Sequence, residues 1–255
     1  MIRGLYTAAS GLVAEMARTD VISNNLANVN TSGFKKDRAI FRAFPEMNIH
    51  RIGDPAVLSP KDKIDPKPFI GVLGTGSMLD EINTNFSQGS IKNTSNPLDL
   101  ALTGEGFFEV QTPGGVRYTR DGSFTRNQQG YLVTGDGHYV LGLNGPIQLP
   151  DGKDISINRR GEVFSDGSFV DRLLVAAFAD QRQLLKEGDN LYVSNQQPLP
   201  SNSEVIQGAL EGSNVNPISE MVDLITAFRA YEASQRVVKA NDDTLGKAVN
   251  DIARL

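Results

Sequence analysis

The chain reads as an α+β protein: a discontinuous helical coiled-coil unit formed by its two ends, with a mainly antiparallel β domain inserted between them. Three observations predict this. Apolar residues recur at steps of three and four at both termini, turn-forming dipeptides crowd the middle, and proline-rich stretches separate the two patterns. The corresponding boundaries are 1–44 plus 205–255 for the helical unit, 45–76 for an extended connector and 77–204 for the β-rich domain.

At the N-terminus the repeat runs through Ile2, Leu5, Ala9, Leu12, Met16, Thr19, Ser23 and Leu26. At the C-terminus it runs through Met221, Leu224, Phe228, Tyr231, Gln235, Val238, Asp242, Leu245, Val249 and Ile252. A period of 3.5 puts such residues on one narrow seam, as a coiled coil requires. Thr19, Ser23, Gln235 and Asp242 dilute the seams, so an ordinary helical pair packed on the domain also fits. Length argues against that second reading. Asn216-Pro217 marks a helix start, with proline suited to the first turn. A helix from there to Leu255 has 39 residues. At 1.5 Å per residue it spans roughly 58 Å, and its seam wants a partner throughout.

The middle follows another rule. Between residues 113 and 167 lie Asp121-Gly122, Asp136-Gly137, Asn144-Gly145, Asp151-Gly152 and Asp166-Gly167, dipeptides that suit tight hairpins with φ > 0. Short strand-like pieces ("VRYT", "YLVT", "HYVLGL", "ISIN") separate them, as in an antiparallel meander or barrel-like fold. "LLVAAFA" (173–179) is expected to be the most deeply buried strand. Pro45, Pro55, Pro60, Pro66 and Pro68 make the first connector, and "SNQQPLPSNSE" (194–204) makes the second.

Composition narrows the functions. The 255 residues carry a net charge of −5 without a basic stripe, which argues against nucleic acid as the main partner. There is no cysteine, and the two histidines, His50 and His138, lie in unrelated contexts. Glu15, Arg18 and Asp20 interrupt any signal-peptide apolar region. The longest apolar run, Leu173 to Ala179, is too short to cross a bilayer. "GVLGTGS" (71–77) lacks the Lys-Ser/Thr of a phosphate loop, and the Asp-rich turns lack the EF-hand ligand pattern. "GxSxG" is absent. No catalytic residue, cofactor or metal is expected.

"ISNNLANVNTSGFKK" (22–36) holds Asn24, Asn25, Asn28 and Asn30 within a few residues, then Gly33 and Phe34. A helix end needs one cap. Asn25 or Asn28 in left-handed geometry would supply it, with a turn at Asn30–Gly33 and Phe34 folding back as a hook. The surplus amides suggest a surface that hydrogen-bonds to copies of the chain.

These residues also carry a resemblance. "GLYTAASGL" (4–12) leading into "ISNNLANVNTSGFKKDRAIF" (22–41) resembles the start of the axial proteins of the bacterial flagellum, the rod and hook proteins of the basal body. "NPLDLALTGEGFFEV" (96–110), "YTRDGSFTRNQQGYLV" (118–133), "GDNLY" (188–192) and "GALEGSNVNPISEMVDLITAFRAYEASQRVV" (208–238) are similar to that family too. The size and uninterrupted β domain look like a rod protein; "RAFPEM" (42–47) and "ALEGSNVNP" (209–217) are most similar to the proximal rod protein, with the distal rod protein close behind. The resemblance implies export through the flagellar type III apparatus without a cleaved signal, and residence in the envelope-spanning rod. It also implies terminal helices lining a tubular homopolymer that joins neighbouring rod and hook proteins, with no nucleic acid and no membrane insertion. Asn24, Asn25, Leu26, Ala27, Asn28, Gly33 and Phe34 match the N-terminal signature, and Ser213, Asn214 and Val215 the C-terminal one. The expected assembly surface is Leu5, Leu12, Met16, Asn24, Asn25, Leu26, Asn28, Gly33, Phe34, Asn214, Met221, Leu224, Phe228, Tyr231, Val238, Leu245, Val249 and Ile252. An adhesin or tail-fibre subunit should lack paired terminal heptads. A β-fold enzyme should show convergent acid and base residues.

Overall fold

The computed structural model describes residues 2–52, 67–150, 154–201 and 203–252. Helix α1 covers Ile2–Ala27 and helix α2 covers Pro217–Ile252; between them the described chain is strand and turn with one short 3-10 helix, Gln181–Gln183, an α+β fold. Pro55, Pro60, Pro66 and the Asp151-Gly152 turn lie outside the described residues.

The chain divides into two compact units. One comprises residues 1–23, 38–83 and 221–255, the other residues 24–37 and 84–220. The first holds most of both helices. Its strands include Met47–His50 and Phe69–Leu73, which fall in the stretch read as a connector and pair antiparallel. Both are exposed along nearly all their length. Thr7 Oγ1 donates to the Thr75 carbonyl at 3.2 Å, fastening α1 to residues 75–77. Gly76 beside it has φ 138°, and any Cβ there would overlap the Ser10 hydroxyl.

The second unit is the β domain. Its main sheet has ten strands among the described residues, running from Leu185–Gly188 through Leu191–Val193, Gly115–Thr119, Phe107–Thr112 and Tyr139–Gly142 to Leu132–Val133 and Thr125–Arg126. Every register in it is antiparallel. Phe107–Thr112 is central, paired with Gly115–Thr119, Tyr139–Gly142 and Val175–Ala177. The core gathers Leu100, Leu102, Phe108, Val110, Phe124, Leu132, Val140 and Ile147. A second cluster gathers Phe107, Tyr118, Phe178 and Tyr192, with Tyr118 and Phe178 edge to face and Phe107 tilted against Phe178 and Tyr192. The expectation for residues 173–179 needs correcting: Val175 and Ala177 are only half-buried. Leu100–Thr103 and Phe107–Thr112 are the deeply buried strands, because they lie against the core cluster along their length.

Turn chemistry follows the sequence in part. Asp166 and Gly167 have φ 48° and 76° and join Glu162–Ser165 to Ser168–Arg172, which pair as a hairpin. Asp121-Gly122 does something else. Gly122 is not left-handed; its carbonyl accepts from Leu100 N at 3.0 Å, and a Cβ would overlap the Leu100 carbonyl. Glycine is needed there for close approach.

Candidate assembly interface

The asparagine-rich stretch ends α1 inside the β domain's unit. Asn25 is 1% exposed. Its Oδ1 accepts from Asp37 N at 2.9 Å, and its Nδ2 donates to the Asp37 carbonyl at 2.8 Å and to Glu220 Oε2 at 3.2 Å. Glu220 also pairs with Lys36. Asn28 Nδ2 donates back to the Asn24 carbonyl at 2.9 Å, and Thr31 Oγ1 donates to Asn28 Oδ1 at 3.2 Å. Asn214 Oδ1 accepts from Lys36 N at 2.7 Å, while its Nδ2 donates to the carbonyls of Asn85 and Ser87 at 2.8 and 3.0 Å.

Two expectations change as a result. The left-handed residue is Gly33, φ 68°, and neither Asn25 nor Asn28 is left-handed. A Cβ at Gly33 would overlap the backbone of Arg120. Asn25, Gly33 and Phe34, expected on an assembly surface, are buried within this unit. The physical reason is satisfaction of buried backbone: an asparagine amide offers the donor and acceptor of a missing strand. Phe34 lies under the Lys186 ammonium, 4.3 Å from the ring centroid; Lys186 itself pairs with Asp37 Oδ2 at 2.7 Å.

Behind this sits a buried charge cluster. Glu211 Oε1 accepts from Lys35 Nζ at 2.6 Å and from Gly89 N at 2.8 Å, and Oε2 accepts from Arg120 Nε at 2.6 Å. Burial pushes the Glu211 carboxyl up, but the charges of Arg120 and Lys35 and the hydrogen bonds from Lys35 and the Gly89 amide hold it below the usual range. Sequence reasoning passed over Lys35, Arg120, Glu211 and Glu220. Asn25 and Glu220 are 195 residues apart, and no local pattern couples them.

Along the helices, the large apolar side chains divide. Leu5, Leu12, Leu26, Leu224, Tyr231, Val238 and Leu245 are half-buried. Tyr6, Val13 and Met16 on α1, and Met221, Val222, Ile225, Phe228 and Val249 on α2, are exposed. Asn24 is exposed, Asn28 and Asn214 half-buried, and the Ile252 side chain lies outside the described residues. Small residues mark where the helices approach. A Cβ on Gly4 would stand 3.8 Å from Asn241 Oδ1, and one on Gly11 3.5 Å from Ser234 Oγ. Seven residues up α1 answer to seven down α2, an antiparallel register. Ala227 on α2 is fully buried while its neighbour Phe228 is 51% exposed.

The family described as "Flagella basal body rod protein" matches residues 5–35. "Flagellar hook protein FlgE/F/G D1 domain" matches residues 101–165, and "Flagellar basal body rod FlgEFG protein C-terminal" matches residues 206–251. A "Flagellar hook-basal body complex protein FlhO" of Bacillus subtilis is 35% identical, with all of both chains aligned. This chain belongs to the flagellar basal-body rod protein family. A "Flagellar basal-body rod protein FlgG" of Buchnera aphidicola is 36% identical over 97% of this chain and 98% of its own. A "Flagellar basal-body rod protein FlgF" of Caulobacter vibrioides is 35% identical over 100% and 98%. Of the buried network, Asn25 and Lys35 fall in the first matched region, Arg120 in the second, and Glu211, Asn214 and Glu220 in the third. Among the described residues no group of three or more His, Asp or Glu side chains is placed to hold a metal, and no helix is long and apolar enough to cross a membrane.

Proposed function

We propose that this chain is a structural subunit of the bacterial flagellar basal-body rod that polymerises through its terminal helices into a tubular shaft and export-channel wall. The observation that carries the reading is the run of exposed apolar side chains Met221, Val222, Ile225 and Phe228 on α2, together with Tyr6, Val13 and Met16 on α1. Surface patches of this kind in soluble chains mark association sites. Repeated heterologous contacts between identical subunits build an open helix.

In this reading the two helices form the coiled-coil assembly domain, residues 1–44 with 205–255, and residues 77–204 the outer β layer. The interface comprises Leu5, Leu12, Met16, Met221, Leu224, Phe228, Tyr231, Val238, Leu245 and Val249. Partners are further copies, neighbouring rod and hook proteins and the type III export apparatus. The subunit acts by geometry alone, without catalysis or cofactor. Helices with so much uncovered apolar surface are only marginally ordered in a free monomer and become fixed when neighbours bury them. The proximal position rests on "RAFPEM" (42–47) and "ALEGSNVNP" (209–217); the alternative is the distal rod.

Deleting the coding sequence and imaging isolated basal bodies tests this. A non-motile strain whose basal bodies lack part of the rod, restored by the wild-type chain, is expected. Normal motility with complete rods contradicts it.

A further inference from the structure

A groove of about 780 Å³ opens on the β domain beside the turn at residues 158–161. Leu143, Leu174, Val175, Pro198, Leu199 and Pro200 form its apolar lining, and Leu143 and Leu199 are 62% and 51% exposed. Three arginines, Arg159, Arg160 and Arg172, line it too, with two carboxylates, Glu109 and Glu204. All of them belong to one compact unit.

The arginine turn is fixed through its backbone. Asn158 Oδ1 accepts from the amides of Arg160 and Glu162 at 2.9 and 3.0 Å, and Gly161 N donates to the Asn158 carbonyl at 2.9 Å. The Arg159 carbonyl accepts from Val205 N at 2.9 Å, and the Arg160 carbonyl from Arg172 Nε at 3.2 Å. That last bond brings the Arg172 guanidinium to the turn that carries the other two.

The carboxylates nearby leave these cations largely unanswered. Glu204 stands 3.9 Å from Arg159. Glu162 is taken by Asn158 Nδ2 at 2.6 Å, and Asp171 by Asn144 Nδ2 at 3.2 Å and the Arg172 amide at 2.7 Å. Glu109 is half-buried, and burial pushes its carboxyl up, the direction expected where no cation neutralises it. Among the described residues neither the Arg160 nor the Arg172 guanidinium forms an ion pair, and both side chains are exposed.

Like charges gathered on a rigid turn repel each other and are stabilised by an acid set opposite. Guanidinium forks suit carboxylates, which they grip with two parallel bonds. Pro198 and Pro200 lack the amides that an added strand would pair with, so the groove favours side chains over an extended peptide. The chain itself carries the complementary excess, 30 Asp and Glu against 25 Lys and Arg. We propose that this groove is an interface between copies, in which Arg160 and Arg172 of one subunit take carboxylates of a second copy while Leu143 and Leu199 are covered. The proposal rests on the rod reading for bringing copies side by side, and it adds a polar contact made by the β domain to those of the helices.

Basal bodies isolated from cells carrying Arg160→Glu test it. The abundance of the chain in them should fall at least ~10-fold, because like charges would then meet across the interface, while the urea midpoint of the dilute monomer stays at the wild-type value. Arg160→Lys keeps the charge and should assemble. In those basal bodies a zero-length carbodiimide should join residue 160 to an Asp or Glu of a second copy, giving a covalent dimer that the dilute monomer does not form. Wild-type abundance of Arg160→Glu overturns the proposal. So does a carbodiimide link from residue 160 to a different protein alone, or no link between copies. Absence of the chain from wild-type basal bodies sinks the rod reading and this proposal with it, whereas rods that accept Arg160→Glu sink the proposal alone.

Discussion

Asn25 hydrogen-bonds the backbone of Asp37 twice, donating to its carbonyl at 2.8 Å and accepting its amide at 2.9 Å. One side chain thereby acts as the strand neighbour that the start of the next segment lacks. Asn25→Ala orphans both backbone groups, and at about 1–3 kcal/mol each the expected loss is about 2–6 kcal/mol in urea unfolding. Asn25→Asp should not rescue it, since it removes the donor and sets a carboxylate against Glu220. A loss below about 0.5 kcal/mol for the alanine would place these bonds among the dispensable ones.

Gly33 and Gly137 separate strain from space. Both are left-handed, with φ 68° and 85°. Gly137 has nothing within 4 Å of a built Cβ, whereas Gly33 meets the backbone of Arg120. Gly137→Ala should cost only the left-handed penalty, about 1–2 kcal/mol. Gly33→Ala adds an overlap that no side-chain rotation relieves, so its thermal midpoint should fall well below that of Gly137→Ala. Equal midpoints would contradict the close approach.

Phe228→Asp tests the exposed stripe. Half of the Phe228 surface already faces solvent, so unfolding of the monomer should shift by only about 1–1.5 kcal/mol, half of what a fully buried side chain contributes, while incorporation into basal bodies should be lost. Leu224→Asp, at a half-buried position, is the harsher comparison: it should block incorporation and also destabilise α2. Rods containing Phe228→Asp at wild-type abundance would remove the stripe from the interface.

Acid should loosen the β domain through Glu211. Its folded carboxyl titrates below the ordinary range, so it contributes stability that is present above the unfolded value, about 4.3, and lost as pH falls through the folded one. Urea midpoints measured from neutral pH down into the acid limb should fall more steeply for the wild type than for Glu211→Gln. Parallel curves would mean that Glu211 is not the group being protonated.

Much of the fold was legible because it rests on local periodicity and turn chemistry. The α2 start is one case: Asn216 Oδ1 accepts from the amides of Ile218 and Ser219 at 3.0 and 3.3 Å, with Pro217 in the first turn. The hairpin at Asp166-Gly167 is another. What stayed hidden depends on long-range pairing. Nothing near Asn25 announces Glu220, and nothing near Lys35 announces Glu211. The surplus of asparagines was visible, but its purpose was read outward, toward other copies, when the amides of Asn25 and Asn214 are used inward. Strand depth was misjudged for a similar reason: an apolar run such as residues 173–179 records hydrophobicity but not which strand is covered on both sides.

The absence of cysteine in the chain allows a direct test of the assembly surface. With Phe228→Cys in place, the thiol at position 228 should react with a bulky maleimide in the dilute subunit as fast as in urea. In intact, isolated basal bodies it should resist labelling until they are dissociated. Equal labelling before and after dissociation would contradict burial of this stripe between subunits, and with it the helix-driven shaft.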